Sequence, residues 1–285
     1  MPVRVVPIIS KYGPYIREGY EFLKDIGLFS RDSSSVNDAI DSISRQIQEI
    51  NGRLSELSIR LDQVRDDLML LIQETEYHRI ADDVLSTNSV FRRYLEVGDK
   101  EGIARLLPLS DREGRNLKRM LGADHGFSGD QYAAYFNLYL IHSQSKFIIQ
   151  SAANDVTAKS YIEKVDGVRV DINKYFKRCF EEIVISERQR YQVSYIRIEG
   201  PPQDNSRDPV VGPTYRIMGY SYDGGDPVAV TSYELRSGAL NSVSEGNEER
   251  EHAALDRIDK KINEMVEKHA RQVCAPYQEI AESMA

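Results

Sequence analysis

The sequence predicts a mainly α protein: an elongated helical bundle with a long coiled-coil-like helix and a small antiparallel β-sheet insertion. Three observations support this fold class. Between Val36 and Leu71 the apolar residues recur in alternating steps of four and three, which is a heptad repeat. The stretch from Gln131 to Asn154 is apolar on every side of a helix, which indicates a helix surrounded by others. From Gln192 onward the hydrophobic period changes to two, which is typical of strands.

Composition indicates a folded chain that does not bind nucleic acid. Of its 285 residues 41% are apolar and 29% charged, and a net charge of −8 disfavours contact with a phosphate backbone. No stretch reaches the roughly 18 to 20 apolar residues of a membrane span. Residues 1–10 lack the apolar core of a signal peptide, so we expect a soluble protein that uses a non-classical route for any export.

The N-terminal third is predicted to be helical. Tyr15 to Leu28 reads as a short amphipathic helix, and Asp32 is a candidate N-cap before the heptads. The heptad helix itself is predicted over residues 34–78. Its seam must pack either against other helices of the chain or against a partner, including a second copy.

Two shorter helices are expected next. Asp99 to Leu107 has a helical pattern that Pro108 should end, because proline lacks the N–H that a helix interior needs. Ser110 to Leu121 is predicted as a separate helix that ends at Gly122.

Residues 130–154 are predicted to form the central helix of the bundle. Lys146 is the only formal charge between Gln131 and Asn154, so this helix has no face suited to water. His142 lies in its middle and is either a hydrogen-bonded core histidine or a pH sensor whose charging near pH 6 loosens the bundle. The candidate membrane-inserting side chains on this helix are Tyr135, Phe136, Leu140, Ile141, Phe147 and Ile148.

The predicted organisation has three parts: a helical bundle over 1–191, a β-meander over 192–240 and a C-terminal helix over 241–285 that returns to the bundle. The strands are expected at Gln192–Glu199, Thr214–Asp223 and Val228–Leu235. Tyrosine is common in strands, but it also suits recognition surfaces because an apolar ring ends in a polar hydroxyl. The recognition candidates are Tyr195, Tyr215, Tyr220 and Tyr222.

Motifs for catalysis, cofactors or metals are absent from the sequence. It contains no GxxxxGK, GxGxxG, HExxH, CxxC or GxSxG pattern. Asp124 and His125 lie in a glycine-rich connection, where they set turn geometry or form a catalytic pair. His252 and Asp256 are one helical turn apart, a spacing common on helix surfaces. We therefore predict a protein that is not an enzyme and that has no cofactor and no metal site.

The chain has two cysteines, Cys179 and Cys274. They are either two buried free thiols or one disulfide that ties down the C-terminal helix.

Two adjacent segments resemble helical-bundle pore-forming toxins. The first segment is similar to the central helix in the N-terminal domain of insecticidal crystal toxins, and its sequence is YAAYFNLYLIHSQSKFIIQSAAND. The second segment is similar to the amphipathic helix that follows it in those toxins, and its sequence is INKYFKRCFEEIVISERQRY. A long heptad helix with a β element beside helices is also similar to the elongated-helix cytolysins. The resemblance covers less than a quarter of the chain, and neither the large β domains of the crystal toxins nor an apolar β tongue is present.

The resemblance implies a toxin-like, membrane-active and oligomeric protein that releases its shielded apolar helix at a target membrane. The β element would then bind a lipid or a receptor protein. The alternative is a coiled-coil structural or adaptor protein that binds a protein partner through its heptad helices or its β element, or that self-associates through the heptads.

Overall fold

The protein is mainly helical with a small antiparallel sheet, as predicted. The computed structural model describes residues 5–45, 49–53, 55, 56, 59, 63, 75–122, 127, 129–153, 158–198, 214–221, 228–236 and 245–284. The helices within these ranges are α1 (Val5–Asp25), α2 (Ser33–Arg45), α3 (Thr75–Val97), α4 (Lys100–Gly122), α5 (Gly129–Ala153), α6 (Ala158–Arg188) and α7 (Glu245–Ser283). The strands are β1 (Tyr191–Ile198), β2 (Thr214–Ser221) and β3 (Val228–Arg236).

Local sequence signals set several helix ends. The Asp32 carboxylate accepts hydrogen bonds of 3.3 Å from the N–H groups of Ser34 and Ser35, so it caps α2 as expected. Gly27 and Gly98 follow α1 and α3 with φ angles of 87° and 72°. Glycine adopts this left-handed conformation without steric cost, which lets the chain leave each helix.

The chain divides into two compact units. The first contains Val3–Glu182 and Val273–Ala285, and the second contains Ile183–Gln272. The division falls inside α6 and α7, whereas the sequence patterns suggested boundaries near residues 191 and 241.

In the first unit, α5 forms the centre of the helical bundle. It packs against α1, α2, α3 and α4. Phe136 of α5 meets Tyr175 of α6 and Tyr277 of α7 at ring-centroid distances of 6.3 and 5.0 Å. α5 is therefore in contact with each of the other six helices given above, which fits its lack of a polar face.

The heptad seam is buried within the chain at three of its described positions. Val36, Ile40 and Ile50 are 0, 6 and 0% exposed, and α2 contacts α5. Ile59, which is not a seam position, is 56% exposed. Residues 49–53, 55, 56, 59 and 63 are helical, and the rest of the predicted helix between residues 46 and 74 lies outside the described residues.

The prediction that Pro108 separates two helices was wrong. A single helix, α4, runs from Lys100 to Gly122 through Pro108. Proline in a helix interior costs about 3 kcal/mol because one backbone hydrogen bond is lost. Pro108 is exposed, and the buried residues Leu106 and Leu117 on either side of it hold both halves of the helix against the bundle.

The second unit contains the sheet and the adjoining parts of two helices. The strands pair in the order β1-β2-β3, all antiparallel, with an irregularity between Gly219 and Tyr220. Ile258, Ile262 and Val266 of α7 form its apolar cluster. Partly buried residues from α6, β1 and α7 complete the cluster: Val184, Tyr191, Val193 and Leu255.

Arg188 joins three elements of this second unit. Its guanidinium donates to Asp259 Oδ1 at 2.7 Å and to Asn263 Oδ1 at 3.0 Å, both on α7. It also donates to the carbonyl of Tyr191, the first residue of β1, at 3.2 Å. The planar fork of arginine allows one side chain to bind all three acceptors.

Candidate functional site

The central helix α5 is the candidate functional element, and it is shielded almost completely from solvent. Residues 132–145 and 147–152 are all buried. The exception, Lys146, is partly exposed and its ammonium lies 2.6 Å from Asp111 Oδ1. The six membrane-inserting candidates are each at most 2% exposed: Tyr135, Phe136, Leu140, Ile141, Phe147 and Ile148. All of them therefore contribute to the core in this conformation.

Hydrogen bonds to neighbouring helices hold α5 at four positions. Gln144 Nε2 donates to the carbonyl of Ile16 at 2.6 Å, and Ser143 Oγ lies 2.6 Å from the hydroxyl of Tyr20. Two further bonds have tyrosine donors: Tyr277 to Asn137 Oδ1 at 2.5 Å and Tyr139 to Asp171 Oδ2 at 3.1 Å. These bonds fix both the rotation and the axial position of α5, because without them Gln144 Nε2 and Asn137 Oδ1 would be left buried and unpaired.

Three serines of α5 satisfy their hydroxyls inside the helix itself. Ser143, Ser145 and Ser151 donate to the carbonyls four residues earlier at 2.9, 3.2 and 2.8 Å. Even so, among the residues that the structure describes, no helix has both the length and the apolar character required to cross a bilayer.

His142 faces a buried carboxyl group that sequence reasoning missed. Glu113 of α4 places Oε2 at 3.6 Å from His142 Nδ1, and both residues are 2% exposed. Thr87 of α3 donates to Glu113 Oε1 at 2.5 Å. Gly114 allows α4 to approach closely, because a Cβ there would lie 3.0 Å from His142 Nε2.

Burial favours the uncharged form of both groups. It raises the pKa of Glu113 to about 7, opposed by the Thr87 hydrogen bond and raised further by Asp83. Burial also lowers the pKa of His142 to about 3, and the charge of Lys146 lowers it further. Near pH 6 the carboxyl group of Glu113 is therefore protonated in the folded state, and the imidazole of His142 is neutral.

This arrangement changes the pH range expected for His142. Its charging near pH 6 was the basis of the predicted pH response, but the folded state resists that charging down to about pH 3. Glu113 titrates in the opposite sense and offsets the effect of His142 on stability. A signal for Glu113 was present in the sequence: it falls at a helical spacing among Ile103, Leu106, Ser110 and Leu117, on the apolar face of α4.

The recognition candidates in the sheet do not share one face. Tyr195 pairs with Ile217, and Tyr215 lies two positions from Ile217 in β2, so the register places Tyr195 and Tyr215 on the same face. Tyr220, five positions from Tyr215, occupies the other face. Its hydroxyl donates to Met218 Sδ at 3.3 Å. Tyr222 lies outside the described residues.

The remaining sequence candidates are two cysteines and two pairs of His and Asp residues. Cys179 and Cys274 are buried free thiols. His252 and Asp256 are exposed on α7, and Asp124 and His125 lie outside the described residues. Within the described ranges, no group of three or more His, Cys, Asp or Glu residues is placed to hold a metal ion.

Comparisons with protein families, with curated proteins and with solved structures found no match to this chain. The candidate function is therefore argued from the residues and geometry described above.

Proposed function

We propose that this chain is a membrane-active protein of the pore-forming type, which stores α5 inside a helical bundle and releases it at a target membrane. The observation that carries the proposal is the burial of α5 on all sides between Tyr132 and Ala152. Bundle helices ordinarily need only one apolar face, because their other face meets water. A helix with no polar face is stable in this protein only while the other helices cover it, or in contact with lipid.

The polar residues of α5 restrict how it would act in a membrane. Ser143, Ser145 and Ser151 satisfy their hydroxyls within the helix, but Asn137 Oδ1, His142 and Gln144 use partners outside it. A single α5 is therefore poorly suited to cross a bilayer alone. We infer that several copies associate, so that these polar side chains face one another or a water-filled pore.

Release has a large energetic cost, which keeps the bundle closed in solution. Each large apolar side chain of α5 contributes about 1.5 to 3 kcal/mol when buried, and an equal gain must come from lipid contact. We propose that the sheet, through Tyr195 and Tyr215 on one face, recognises the lipid or receptor that starts this exchange.

A disulfide that locks α5 to α1 tests the proposal. A Cβ at Gly19 would lie 2.8 Å from Cδ of Gln144. That Cδ is about 2.5 Å from its own Cβ, so cysteines at the two positions have Cβ atoms at most about 5.3 Å apart, and a small shift brings them into disulfide range. Burial raises the pKa of Cys274 to about 12 and that of Cys179 also upward, which keeps the native thiols unreactive.

The measurement is dye release from liposomes between pH 4 and 8. The Gly19→Cys/Gln144→Cys protein should release dye when reduced and not when oxidised, whereas each single-cysteine control should be insensitive to oxidation. Equal release by the oxidised and reduced double variant would refute release of α5. No release by the wild type at any pH, together with self-association in solution, would favour the adaptor function. The burial of Val36, Ile40 and Ile50 within the chain currently counts against a heptad interface with a partner.

A further inference from the structure

A buried polar cluster joins the central helix α5 to α3 and α4. Its members are Thr87 of α3, Glu113 of α4 and His142 of α5, and they are 7, 2 and 2% exposed. Thr87 donates to Glu113 Oε1 at 2.5 Å. Glu113 Oε2 and His142 Nδ1 are 3.6 Å apart, a distance at which charges interact but no hydrogen bond forms. Glu113 Oε2 and His142 Nε2 have no hydrogen-bond partner among the described residues.

Close packing surrounds the imidazole at this contact. A Cβ at Gly114 of α4 would lie only 3.0 Å from His142 Nε2, so α4 approaches the ring directly. An imidazolium in this place would lose its hydration, and a buried charge without a counter-charge is strongly destabilising. The closed contact therefore suits a neutral imidazole, or an imidazolium only while Glu113 is ionised.

The charged groups around the pair do not supply another counter-charge. Lys146 and Lys118 oppose a positive charge on His142, whereas Asp111 favours it. Arg112 of α4 favours an ionised Glu113. The described residues of α1, α2 and α7 add no charge that acts on the pair. Most of the charged groups that do act on it already form ion pairs: Lys146 with Asp111, Lys118 with Asp171 of α6, and Asp83 of α3 with Arg79.

We propose that the Glu113–His142 pair is an acid-sensitive contact that holds α4 against α5, and that a second proton on the pair separates the two helices. One proton leaves the pair without net charge, as a carboxyl group beside a neutral imidazole or as an ion pair. A second proton gives an imidazolium beside an uncharged carboxyl group, and that charge is stable only where water reaches it. The inference rests on the proposed function for the consequence of opening, which is the release of α5.

The pKa values of the two groups place the separation in acid. Below pH 6.5 the opened state takes up a proton on His142, but the closed state takes up a proton on Glu113 below about pH 7, so the two effects offset each other. This offset ends near the ordinary Glu113 pKa of 4.5, because the opened state then binds that proton as well. Between pH 4.5 and about 3 only His142 distinguishes the two states, so the opening equilibrium should rise about tenfold per pH unit.

Backbone hydrogen exchange, followed by mass spectrometry, tests the proposal on the intact chain without a membrane. Exchange is measured at half-unit steps from pH 3.5 to 7 and corrected for the intrinsic pH dependence of amide exchange. Protection of α4 and α5 around the pair should change little between pH 5 and 7 and fall about tenfold per unit below pH 4.5. The strands β1 to β3 belong to the second unit and report global unfolding.

Two variants should change the onset in opposite directions. Glu113→Gln keeps an acceptor for Thr87 but cannot take up the first proton, so α5 should begin to lose protection near pH 6.5. His142→Gln cannot take up the second proton, so α5 should lose no more protection in acid than it does in the double variant. The double variant Glu113→Gln/His142→Gln supplies the background from all other titratable groups.

Three results would overturn the acid-sensitive contact. The first is a loss of α5 protection below pH 4.5 that is equal in the wild type and in His142→Gln. The second is an onset that Glu113→Gln leaves near pH 4.5. The third is an equal loss in α5 and in β1 to β3 of the wild type, which decides the question even where a variant fails to fold.

Dye release from liposomes over the same pH range separates this inference from the proposed function. Acid-induced opening of α5 without dye release would support the contact between α4 and α5 and count against release at a membrane. Dye release with a pH profile that neither variant changes would support the membrane activity and overturn the acid-sensitive contact.

Discussion

Replacing Glu113 by Gln should make the stability of the protein depend on pH in a range where the wild type is nearly insensitive. Gln keeps an oxygen that accepts the Thr87 hydrogen bond, but it cannot titrate. His142 then remains as a buried imidazole whose pKa is lowered from 6.5 to about 3. The unfolded chain takes up a proton below pH 6.5 and the folded chain does not, so stability falls as pH decreases.

The magnitude follows from the two pKa shifts. One pH unit corresponds to about 1.4 kcal/mol per proton, so Glu113→Gln should lose about 2 kcal/mol between pH 7 and pH 5. In the wild type the pKa of Glu113 is raised from 4.5 to about 7. Its folded form therefore binds a proton that the unfolded form lacks between pH 4.5 and 7, and this gain on acidification offsets the loss from His142. We expect the wild-type stability to change by less than about 1 kcal/mol over the same range.

The assay is urea unfolding followed by far-UV circular dichroism at half-unit steps from pH 4.5 to 7.5, since the chain has no tryptophan to report by fluorescence. His142→Gln is the matched control, and it should show the opposite slope: Glu113 alone makes that variant more stable as pH falls from 7 to 5. The double variant supplies the background from all other groups. A profile of Glu113→Gln that runs parallel to the double variant would refute the assignment of opposite titrations to this pair.

Three further predictions concern single contacts. Tyr277→Phe leaves the buried Asn137 Oδ1 without its donor, so the free energy of unfolding in urea should fall by about 1 to 3 kcal/mol. An unchanged unfolding midpoint would mean that the bond is not formed. Arg188→Met removes three hydrogen bonds of the second unit but keeps an aliphatic side chain, so amide hydrogen exchange of β1 should accelerate. An equal acceleration in α5 would instead indicate global destabilisation. Ile50→Ala should cost about 2 to 5 kcal/mol in unfolding free energy because a fully buried side chain leaves a cavity, and a cost below 1 kcal/mol would show that Ile50 is not packed in the core.

Much of the architecture could be predicted from local sequence patterns. The absence of a polar face between Gln131 and Asn154 identified the central helix, and period-two alternation identified the three strands to within two residues at each end. These predictions succeeded because each depends on one element and on whether its sides meet water or protein. Two helices were exceptions. α4 continues through Pro108, whose local penalty is outweighed by the burial of its neighbours, and α1 begins at Val5, before the predicted start at Tyr15.

The candidate sites depended on pairings that sequence does not reveal. His142 was recognised as a titratable group, but its partner Glu113 lies 29 positions earlier on another helix. The close approach of α1 to Gln144 of α5 requires Gly19, because a Cβ at that position would overlap the Gln144 amide. Likewise, the two faces that separate Tyr195 and Tyr215 from Tyr220 follow from the position of each residue along its strand and from the strand register.

Residue periodicity was enough to predict a helical protein with a central apolar helix and a small sheet, because it records which sides of an element are buried. Packing between distant segments places a carboxyl group beside His142, brings Gln144 to the backbone of α1, and lets Arg188 join α6, β1 and α7. A pKa shift or a shared hydrogen bond depends on atoms that packing brings within a few ångströms of each other, and the separation of two residues along the chain does not reveal that proximity.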